Sequence, residues 1–274
     1  MKVHLAGRIL FFLILTLAAV IFLYPFAWML AATVRPEAEV MRFGLTGSTF
    51  TLHSYKVMIS KIPIFRALLN SLLVSLVSTA AVLVFSSMTG YALARLRFTG
   101  RKTLFMVILF TMMIPFQITL IPLYVLMVRL GWTDSYTGLI VPFTMSPFAI
   151  LLFRQFFLQV PQDLVDAARI DGLGELGILF RIFWPLSKPG LITVGIVHFM
   201  GIWNEVLWPI IIVRKTDLMT MPQMVALFAV SGQAENLIGV KLAAAVMLTL
   251  PVVIVYLFLQ RYFIESMATS GLKG

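Results

Sequence analysis

The side chains of this chain that could do chemistry are few, and its acidic residues are densest between Asp163 and Glu175. The three histidines, His4, His53 and His198, are too scattered to predict a zinc site, and no Ser/His/Asp grouping has the local motif of a hydrolase. The absence of cysteine excludes disulfides, thiolate metal sites and cysteine nucleophiles. We therefore predict no catalytic residue and no metal site.

The acidic segment has the signals of a short helix. Pro161 sets the chain direction, Asp163 is a candidate N-cap, and the negative charge of Asp166 suits the first turn. The helix is predicted over 164–170, and Gly172, which can adopt the left-handed conformation, would end it after Asp171.

The predicted helix carries two adjacent small residues, Ala167 and Ala168, which give it a thin side. Another protein could approach the backbone closely there, so the helix has the form of an element that fills a groove. The alternative is an interfacial helix that lies on lipid head groups. Both interpretations remain open on composition alone.

A glycine-rich run follows this helix, and Gly172, Gly174 and Gly177 match the dinucleotide pattern G-x-G-x-x-G. That pattern needs a buried strand before it, whereas a short acidic helix precedes it here, so we reject a nucleotide site. The sequence also contains no G-x-x-x-x-G-K-[ST] motif. If ATP drives this protein, another subunit must bind the nucleotide.

Glu205 lies inside a long apolar stretch, where an ionisable residue is a functional candidate by default. On a continuous helix Gly201, Glu205 and Pro209 would share a face, and Asn204 would stack with Trp208. This polar, aromatic-flanked patch could meet a hydroxyl-rich solute. The alternative is a structural hydrogen bond near the outer end of the helix.

A second polar feature is a stripe of small hydroxyl residues, Ser71, Ser75 and Ser78, in another apolar stretch. Such a stripe favours helix packing, and the alternative is that Ser71 and Ser75 line a solute pathway. The tentative pathway residues are therefore Asn204, Glu205, Trp208, Ser71 and Ser75.

The elements that must position these residues are membrane helices. Hydrophobic residues make up 61% of the 274 residues and charged residues only 12%, against roughly 25% charged in soluble domains. Six gaps between ionisable residues are long enough to cross a bilayer as helices, with kinks expected at internal prolines. We predict an all-α integral membrane protein, one domain over residues 1–274. Its spans are expected at about 9–32, 68–94, 104–128, 136–154, 190–213 and 242–260.

The distribution of Lys and Arg predicts the orientation. With the N-terminus in the cytoplasm, twelve of the 21 basic residues lie inside and nine outside. Both termini and the loop 159–189 are then cytoplasmic. The formal charge of +10 indicates orientation and attraction to anionic lipid heads more than nucleic-acid binding. Lys2 and Arg8 before an apolar run could also form a signal peptide, but the run is long, and we interpret it as a retained span.

The spacing Asp166-Ala167-Ala168-x-x-Asp171-Gly172, followed by Ile182 and Pro185-Leu186, resembles the "EAA" loop of ABC-importer permeases. The family pattern is Glu-Ala-Ala-x-x-Asp-Gly and then Ile-x-x-Pro-Leu. Two positions depart from it, because Asp166 replaces Glu and Leu173 stands where Ala is common.

The resemblance extends over nearly the whole chain to the carbohydrate-uptake permeases of the MalG and glycerol-3-phosphate type. It includes Asn70-Ser71-Leu72, the segment from Gly90 to Arg95, and Trp203-Asn204-Glu205. The tail ending Lys273-Gly274 is similar to the family ending Gly-x-x-Lys-Gly, although Ser266 and Ser270 fall where Gly is usual.

The resemblance implies the six-helix fold of type I ABC importers in a prokaryotic inner membrane, with no cofactor held by this chain. It implies a homologous second permease, two copies of a cytosolic ATPase that binds ATP and Mg²⁺, and an extracytoplasmic solute-binding protein. The loop helix would seat in a cleft of the ATPase. The coupling residues implied are Asp166, Ala167, Ala168, Asp171, Gly172, Pro185 and Lys273.

An alternative function is a secondary transporter in which Glu205 is the acid that couples solute to protons or sodium. It does not explain the helix, glycine and Pro-Leu pattern of the inner loop. A membrane enzyme is a more distant alternative, since the sequence has no acid/base pair.

The two outer segments, 35–66 and 214–241, are long enough to fold locally, with a polar tip at 233–236. The sequence does not identify which carbohydrate is carried.

Overall fold

The structure is a computed structural model that describes the backbone of residues 2–230 and 237–271, and side chains over 7–230, 237–254 and 256–257. The polar tip at 233–236 and Lys273 lie outside the described residues. Every regular element in the described part is helical, which confirms the all-α prediction. The α-helices are α1 (Lys2–Thr33), α2 (His53–Lys61), α3 (Ile64–Arg95), α4 (Arg101–Thr111), α5 (Phe116–Arg129), α6 (Tyr136–Ile140), α7 (Pro147–Leu158), α8 (Gln162–Ile170), α9 (Glu175–Ile178), α10 (Trp184–Leu186), α11 (Lys188–Trp203), α12 (Leu207–Ile212), α13 (Met221–Val230) and α14 (Ile238–Gly271).

Two of the helices in the described residues, α1 and α3, are long and apolar enough to cross a membrane alone. Three bent pairs could each form one further span: α4 with α5, residues 136–143 with α7, and residues 175–186 with α11. The sixth predicted span falls in α14, of which Ile238–Ile254 counts as a shorter apolar helix. The apolar helices fit an integral membrane protein, and the number six stays a prediction.

Prolines mark two of the sharp bends, as the sequence predicts. Pro115 precedes α5, and the axes of α4 and α5 differ by 101°. Pro147 is the first residue of α7, after a bend of 42°, and the Ser146 hydroxyl caps this helix by accepting a hydrogen bond from the Ala149 N–H. A proline at the first helical turn costs no hydrogen bond, because that N–H has no partner within the helix.

The chain divides into two compact units, of which the first comprises residues 1–64 and 224–251. Within it, α1 is exposed along nearly its whole length. The carboxylate of Glu37 accepts hydrogen bonds from the Gly239 N–H, at 3.1 Å to each oxygen. A negative side chain therefore caps the first turn of α14, where the helix dipole favours it.

The second unit comprises residues 65–223 and 252–274, and its core is aromatic. Phe157 stacks on Phe153, with ring centroids 5.6 Å apart, and meets Phe183 edge to face at 5.2 Å. Tyr91 packs against Phe183 at 5.0 Å. These rings join α3, α7 and the π-helical turn Leu179–Phe183.

Gly90 allows α3 and α7 to approach closely. A Cβ atom at this position would lie 2.8 Å from the Phe153 Cβ and 3.1 Å from the Arg154 backbone nitrogen. We expect Gly90→Ala to lower the free energy of unfolding by about 1–3 kcal/mol, because the backbone of α7 must move. Thermal unfolding of the purified protein measures the change.

Gly195 in α11 is a matched control for this substitution. A Cβ there would meet Leu83 at 3.8 Å, an ordinary contact distance. Gly195→Ala should leave the midpoint unchanged or raise it, since alanine favours a helix over glycine. Equal effects of the two substitutions would contradict close packing at Gly90.

Candidate functional site

The loop from 159 to 189 is folded throughout. Helix α8 begins at Gln162, directly after Pro161, and ends at Ile170. The prediction that Asp163 is the N-cap is wrong: Pro161 takes an extended conformation, and helical geometry starts at the next residue, so Asp163 lies in the first turn. The predicted end is confirmed, because Gly172 has φ +81° and its N–H donates to the Arg169 carbonyl at 3.0 Å.

Helix α8 has one buried and one exposed side. Val165 and Ala168 pack into the aromatic core, while Ala167 and Ile170 are exposed. The prediction that the two alanines form one thin side is wrong, because successive residues on a helix point about 100° apart. We call Leu164, Ala167, Ile170, Asp171 and Gly172 the exposed face of α8.

Ile170 is the most unusual member of the exposed face. Its side chain is 86% exposed at the last position of the helix, and a Cβ at the neighbouring Gly172 would meet nothing within 4 Å. With Leu164, which is 44% exposed, Ile170 gives this face two exposed apolar side chains beside an open glycine backbone that another molecule could approach.

A chain of polar contacts joins α8 to α3. The Tyr91 hydroxyl donates to one oxygen of Glu175, and the other oxygen accepts from the Arg169 guanidinium at 3.0 Å. Arg169 also lies 3.5 Å from Asp166, whose carboxylate accepts from the Gln162 amide at 3.0 Å. The predicted coupling residue Asp166 is therefore held from two sides within its own helix.

Arg95, the last residue of α3, binds the end of α7. Its guanidinium donates to the carbonyls of Phe157 and Val160, and to the side-chain oxygen of Gln162 at 3.0 Å. It also lies 5.4 Å from the centre of the Phe183 ring, a cation–π contact. The last carbonyls of a helix lack partners within the helix, so Arg95 satisfies these groups and joins α3, α7 and α8.

The carboxylate of Glu175 is kept ionised. Burial alone would raise its pKa, but the hydrogen bonds from Tyr91 and Arg169 outweigh that effect, and the pKa lies below its ordinary value. The hydrogen bond with Glu175 raises the pKa of Arg169. A lowered carboxyl pKa stabilises the fold above the unfolded-state value, and this stability is lost as the pH falls through the folded-state pKa. The contacts of Glu175 should thus persist at neutral pH.

Sequence reasoning assigned no role to Tyr91, Arg95, Arg169 or Glu175. The sequence holds one signal for Arg95, because it is the first charged residue after the predicted span 68–94.

The predicted coupling residue Pro185 lies at the surface in α10. The indole N–H of the neighbouring Trp184 donates to the Ser87 hydroxyl at 3.1 Å.

The predicted pathway residues around Glu205 do not share one helix face. Helix α11 ends at Trp203 and α12 begins at Leu207, so the predicted alignment of Gly201, Glu205 and Pro209 is wrong. The Glu205 carboxylate instead accepts from the Trp208 N–H at 3.2 Å, at the first turn of α12.

The other two members of this group make structural contacts. The Asn204 side chain donates to the Met200 carbonyl at 2.8 Å. Trp208 is buried, and its indole N–H donates to the Gly138 carbonyl at 2.9 Å. The predicted stacking of Asn204 on Trp208 is replaced by these two hydrogen bonds.

An open cleft of the second unit contains Glu205. His198, Gly201, Phe143 and Phe148 also line it, so the carboxylate lies among aromatic and apolar groups. Among the described residues, no group of three His, Cys, Asp or Glu side chains could hold a metal ion.

The serine stripe of α3 is buried. The Ser71 hydroxyl accepts a hydrogen bond from the Met221 N–H at 2.7 Å, which fixes the start of α13. Ser75 and Ser78 have no hydrogen-bond partner among the described residues. Neither Ser71 nor Ser75 is among the residues that line the Glu205 cleft in the described part of the chain.

Comparison with known proteins gives a family match over residues 83–269, to the model described as "Binding-protein-dependent transport system inner membrane component". Similar proteins include the arabinooligosaccharides transport system permease protein AraQ of Bacillus subtilis (strain 168), which is 38% identical over 100% of this chain and 97% of its own length. The lactose transport system permease protein LacG of Rhizobium radiobacter is 32% identical over 94% of this chain and 93% of its own length.

A third relative and one solved structure extend the similarity. The sn-glycerol-3-phosphate transport system permease protein UgpE of Pectobacterium atrosepticum is 35% identical over 76% of this chain and 74% of its own length. A chain of a bacterial ABC transporter involved in the import of the acidic polysaccharide alginate superposes with a TM-score of 0.81, at 25% identity, over 96% of this chain and 98% of that chain.

Proposed function

This chain belongs to the family of binding-protein-dependent transport system inner membrane components, and we propose that it is one permease subunit of an ATP-driven carbohydrate importer. The family consists of transport components of the inner membrane and not of enzymes. The names of the similar proteins, which refer to arabinooligosaccharides, lactose and glycerol 3-phosphate, support a carbohydrate as the solute.

The observation that carries the proposal is the construction of α8. One side of this helix is fixed to the core by Val165 and Ala168, and the other presents the bare, apolar surface around Ile170 and Gly172. Such a helix suits insertion into a groove of another protein. We propose that the groove belongs to a cytosolic ATPase, which binds ATP and Mg²⁺, and that Pro185 and Lys273 contribute to the same contact.

The polar contacts of α8 supply a route for coupling. When the ATPase moves α8, Arg95 and the pair Tyr91–Glu175 transmit the displacement to α3 and α7. The solute pathway then alternates between inward-facing and outward-facing states, and ATP binding and solute binding bias the same equilibrium. The Glu205 cleft, with its carboxylate and aromatic rings, is the candidate surface for solute in this chain.

The complete importer needs further subunits. A second, homologous permease supplies the other half of the pathway, two ATPase copies bind the two permeases, and an extracytoplasmic binding protein delivers the solute. With both termini in the cytoplasm, the 159–189 loop faces the ATPase. This orientation follows from the excess of Lys and Arg on the inner side.

The test is uptake by the purified, assembled importer in liposomes, with the binding protein and an oligosaccharide or glycerol phosphate. We expect uptake to require ATP on the ATPase side and to continue when ionophores collapse proton and sodium gradients. Loss of uptake on collapse of the gradients, with ATP still present, would favour the secondary transporter with Glu205 as its coupling acid.

Replacement of Glu205 separates the two mechanisms at one residue. Glu205→Gln keeps an oxygen that can accept from the Trp208 N–H and a polar group that can hydrogen-bond a solute hydroxyl in the cleft, so we expect ATP-driven uptake within about threefold of the unmodified rate. Glu205→Ala, the matched control, removes the acceptor of the Trp208 N–H and should lower the free energy of unfolding by about 0.5–1.5 kcal/mol. A Gln variant that folds normally and shows no coupled uptake would contradict the proposal.

A further inference from the structure

An apolar loop tip in the first unit follows the carboxyl end of α1. Residues 41–45 expose three large apolar side chains: Met41 at 65%, Phe43 at 98% and Leu45 at 49%. We call these residues the apolar tip. Exposed apolar groups that lie this close together mark a surface that a membrane or another protein covers.

Hydrogen bonds place the tip beside α1 and not beyond its end. The indole N–H of Trp28 donates to the Arg42 carbonyl at 3.3 Å. Trp28 precedes Thr33, the last residue of α1, by five residues, which corresponds to about 8 Å along the helix axis. The loop therefore turns back along the helix towards the level of its last turns, where a tryptophan is typical of the membrane interface.

Two carbonyls and one N–H of the tip have hydrogen-bond partners within the first unit. The buried guanidinium of Arg35 donates to the carbonyls of Arg42 and Gly44, and Arg42 N–H donates to the Glu39 carbonyl at 3.0 Å. Hydrocarbon cannot supply partners for backbone groups, so satisfied carbonyls are a condition for entering it. Gly44 adopts φ +108°, which makes the tight turn possible without strain.

The charge and surroundings of the tip indicate its occupant. Arg42 lies between Met41 and Phe43, and its guanidinium is 3.6 Å from the Glu39 carboxylate. Because the Arg42 side chain is still 74% exposed, its aliphatic part can follow the apolar groups while the exposed side of its guanidinium can meet lipid phosphates. Helix α1, which the tip contacts through Trp28, also exposes apolar residues in its last turns, such as Phe26 and Leu30. We infer that the apolar tip inserts into the lipid leaflet at which α1 ends and anchors this loop to the bilayer.

The chain has no cysteine, so Phe43→Cys introduces a single thiol for a nitroxide label. The label is studied in the complete importer, with otherwise cysteine-free subunits, in liposomes of phosphatidylcholine and phosphatidylglycerol. Oxygen concentrates in the bilayer, whereas a nickel chelate stays in water. We expect oxygen to relax the label at position 43 several-fold more strongly than nickel, and Met41→Cys to behave in the same way. Uptake by each labelled variant verifies assembly.

Lys56→Cys, on the exposed side of α2 in the same unit, is the matched control and should be relaxed mainly by nickel. Stronger relaxation by nickel than by oxygen at positions 41 and 43 would place the tip in water and overturn the inference. Protection from both reagents would mean that a protein subunit covers the tip, which also overturns it.

Discussion

Ile170→Lys is expected to abolish uptake while this subunit reaches the membrane in normal amounts. The side chain is 86% exposed in the subunit alone, so the substitution removes little packing, and a positive charge at the last turn of α8 suits the helix dipole. In a groove of the proposed ATPase, the same charge would be desolvated, which weakens association. A penalty of roughly 3 kcal/mol corresponds to an association about 100-fold weaker.

Association is measured by co-purification of the ATPase at increasing dilution in mild detergent, together with uptake in cells. The matched control is Gln159→Lys, which adds the same charge to an exposed position in the same loop, outside α8. This control should bind the ATPase and transport normally. Normal uptake by the Ile170 variant would show that the exposed face of α8 is not the docking surface.

Arg95→Ala should uncouple ATP hydrolysis from uptake. The substitution removes the guanidinium donors to the carbonyls of Phe157 and Val160, and a buried carbonyl that loses its partner costs about 1–3 kcal/mol. The Phe157 carbonyl keeps one donor, the Val160 N–H at 3.4 Å, so the main loss falls on the Val160 carbonyl. The ends of α3 and α7 would then lose their direct link to each other and to Gln162 of α8, and α8 would stay joined to α3 only through Tyr91, Glu175 and Arg169 and through core packing. We expect uptake to fall at least about tenfold, while part of the ATPase activity remains.

The number of solute molecules imported per ATP hydrolysed distinguishes coupling from stability. A purely structural role would reduce the amount of folded importer and leave this ratio unchanged. Arg95→Lys keeps the charge but not the forked donor geometry, so we expect an intermediate ratio. Arg97→Ala removes an exposed charge from the same cluster and should leave the ratio unaltered.

The helix in the 159–189 loop could be predicted well from sequence because its signals are local. Pro161 precedes the helix and Gly172 ends it, and both act through backbone conformation at their own positions. The orientation of Ala167 and Ala168 could not be predicted, since it depends on which side of α8 meets Phe157 and Phe183. The partners of Arg95 were hidden for the same reason: the Phe157 carbonyl is 62 residues away along the chain.

The residues predicted to line the solute pathway could not be placed correctly from the sequence. Apolar composition predicts a span through Glu205, but composition does not register a break in helix geometry. The chain leaves the helix after Trp203, and the Glu205 carboxylate caps a new helix at Trp208. The assignment of Glu205, Gly201 and Pro209 to one face assumed an uninterrupted helix, and that assumption failed over only three residues.

The polar contacts described above that join α8 to α3 and α7 all lie between Tyr91 and Glu175 along the chain. Protein synthesis proceeds from the amino terminus, so every partner in this set is made before α11 to α14. The core into which α8 packs also contains Val194 of α11, so the region that carries the exposed face of α8 is complete only when α11 has joined it. Assembly with the proposed ATPase would then wait for α11 and not for α12 to α14.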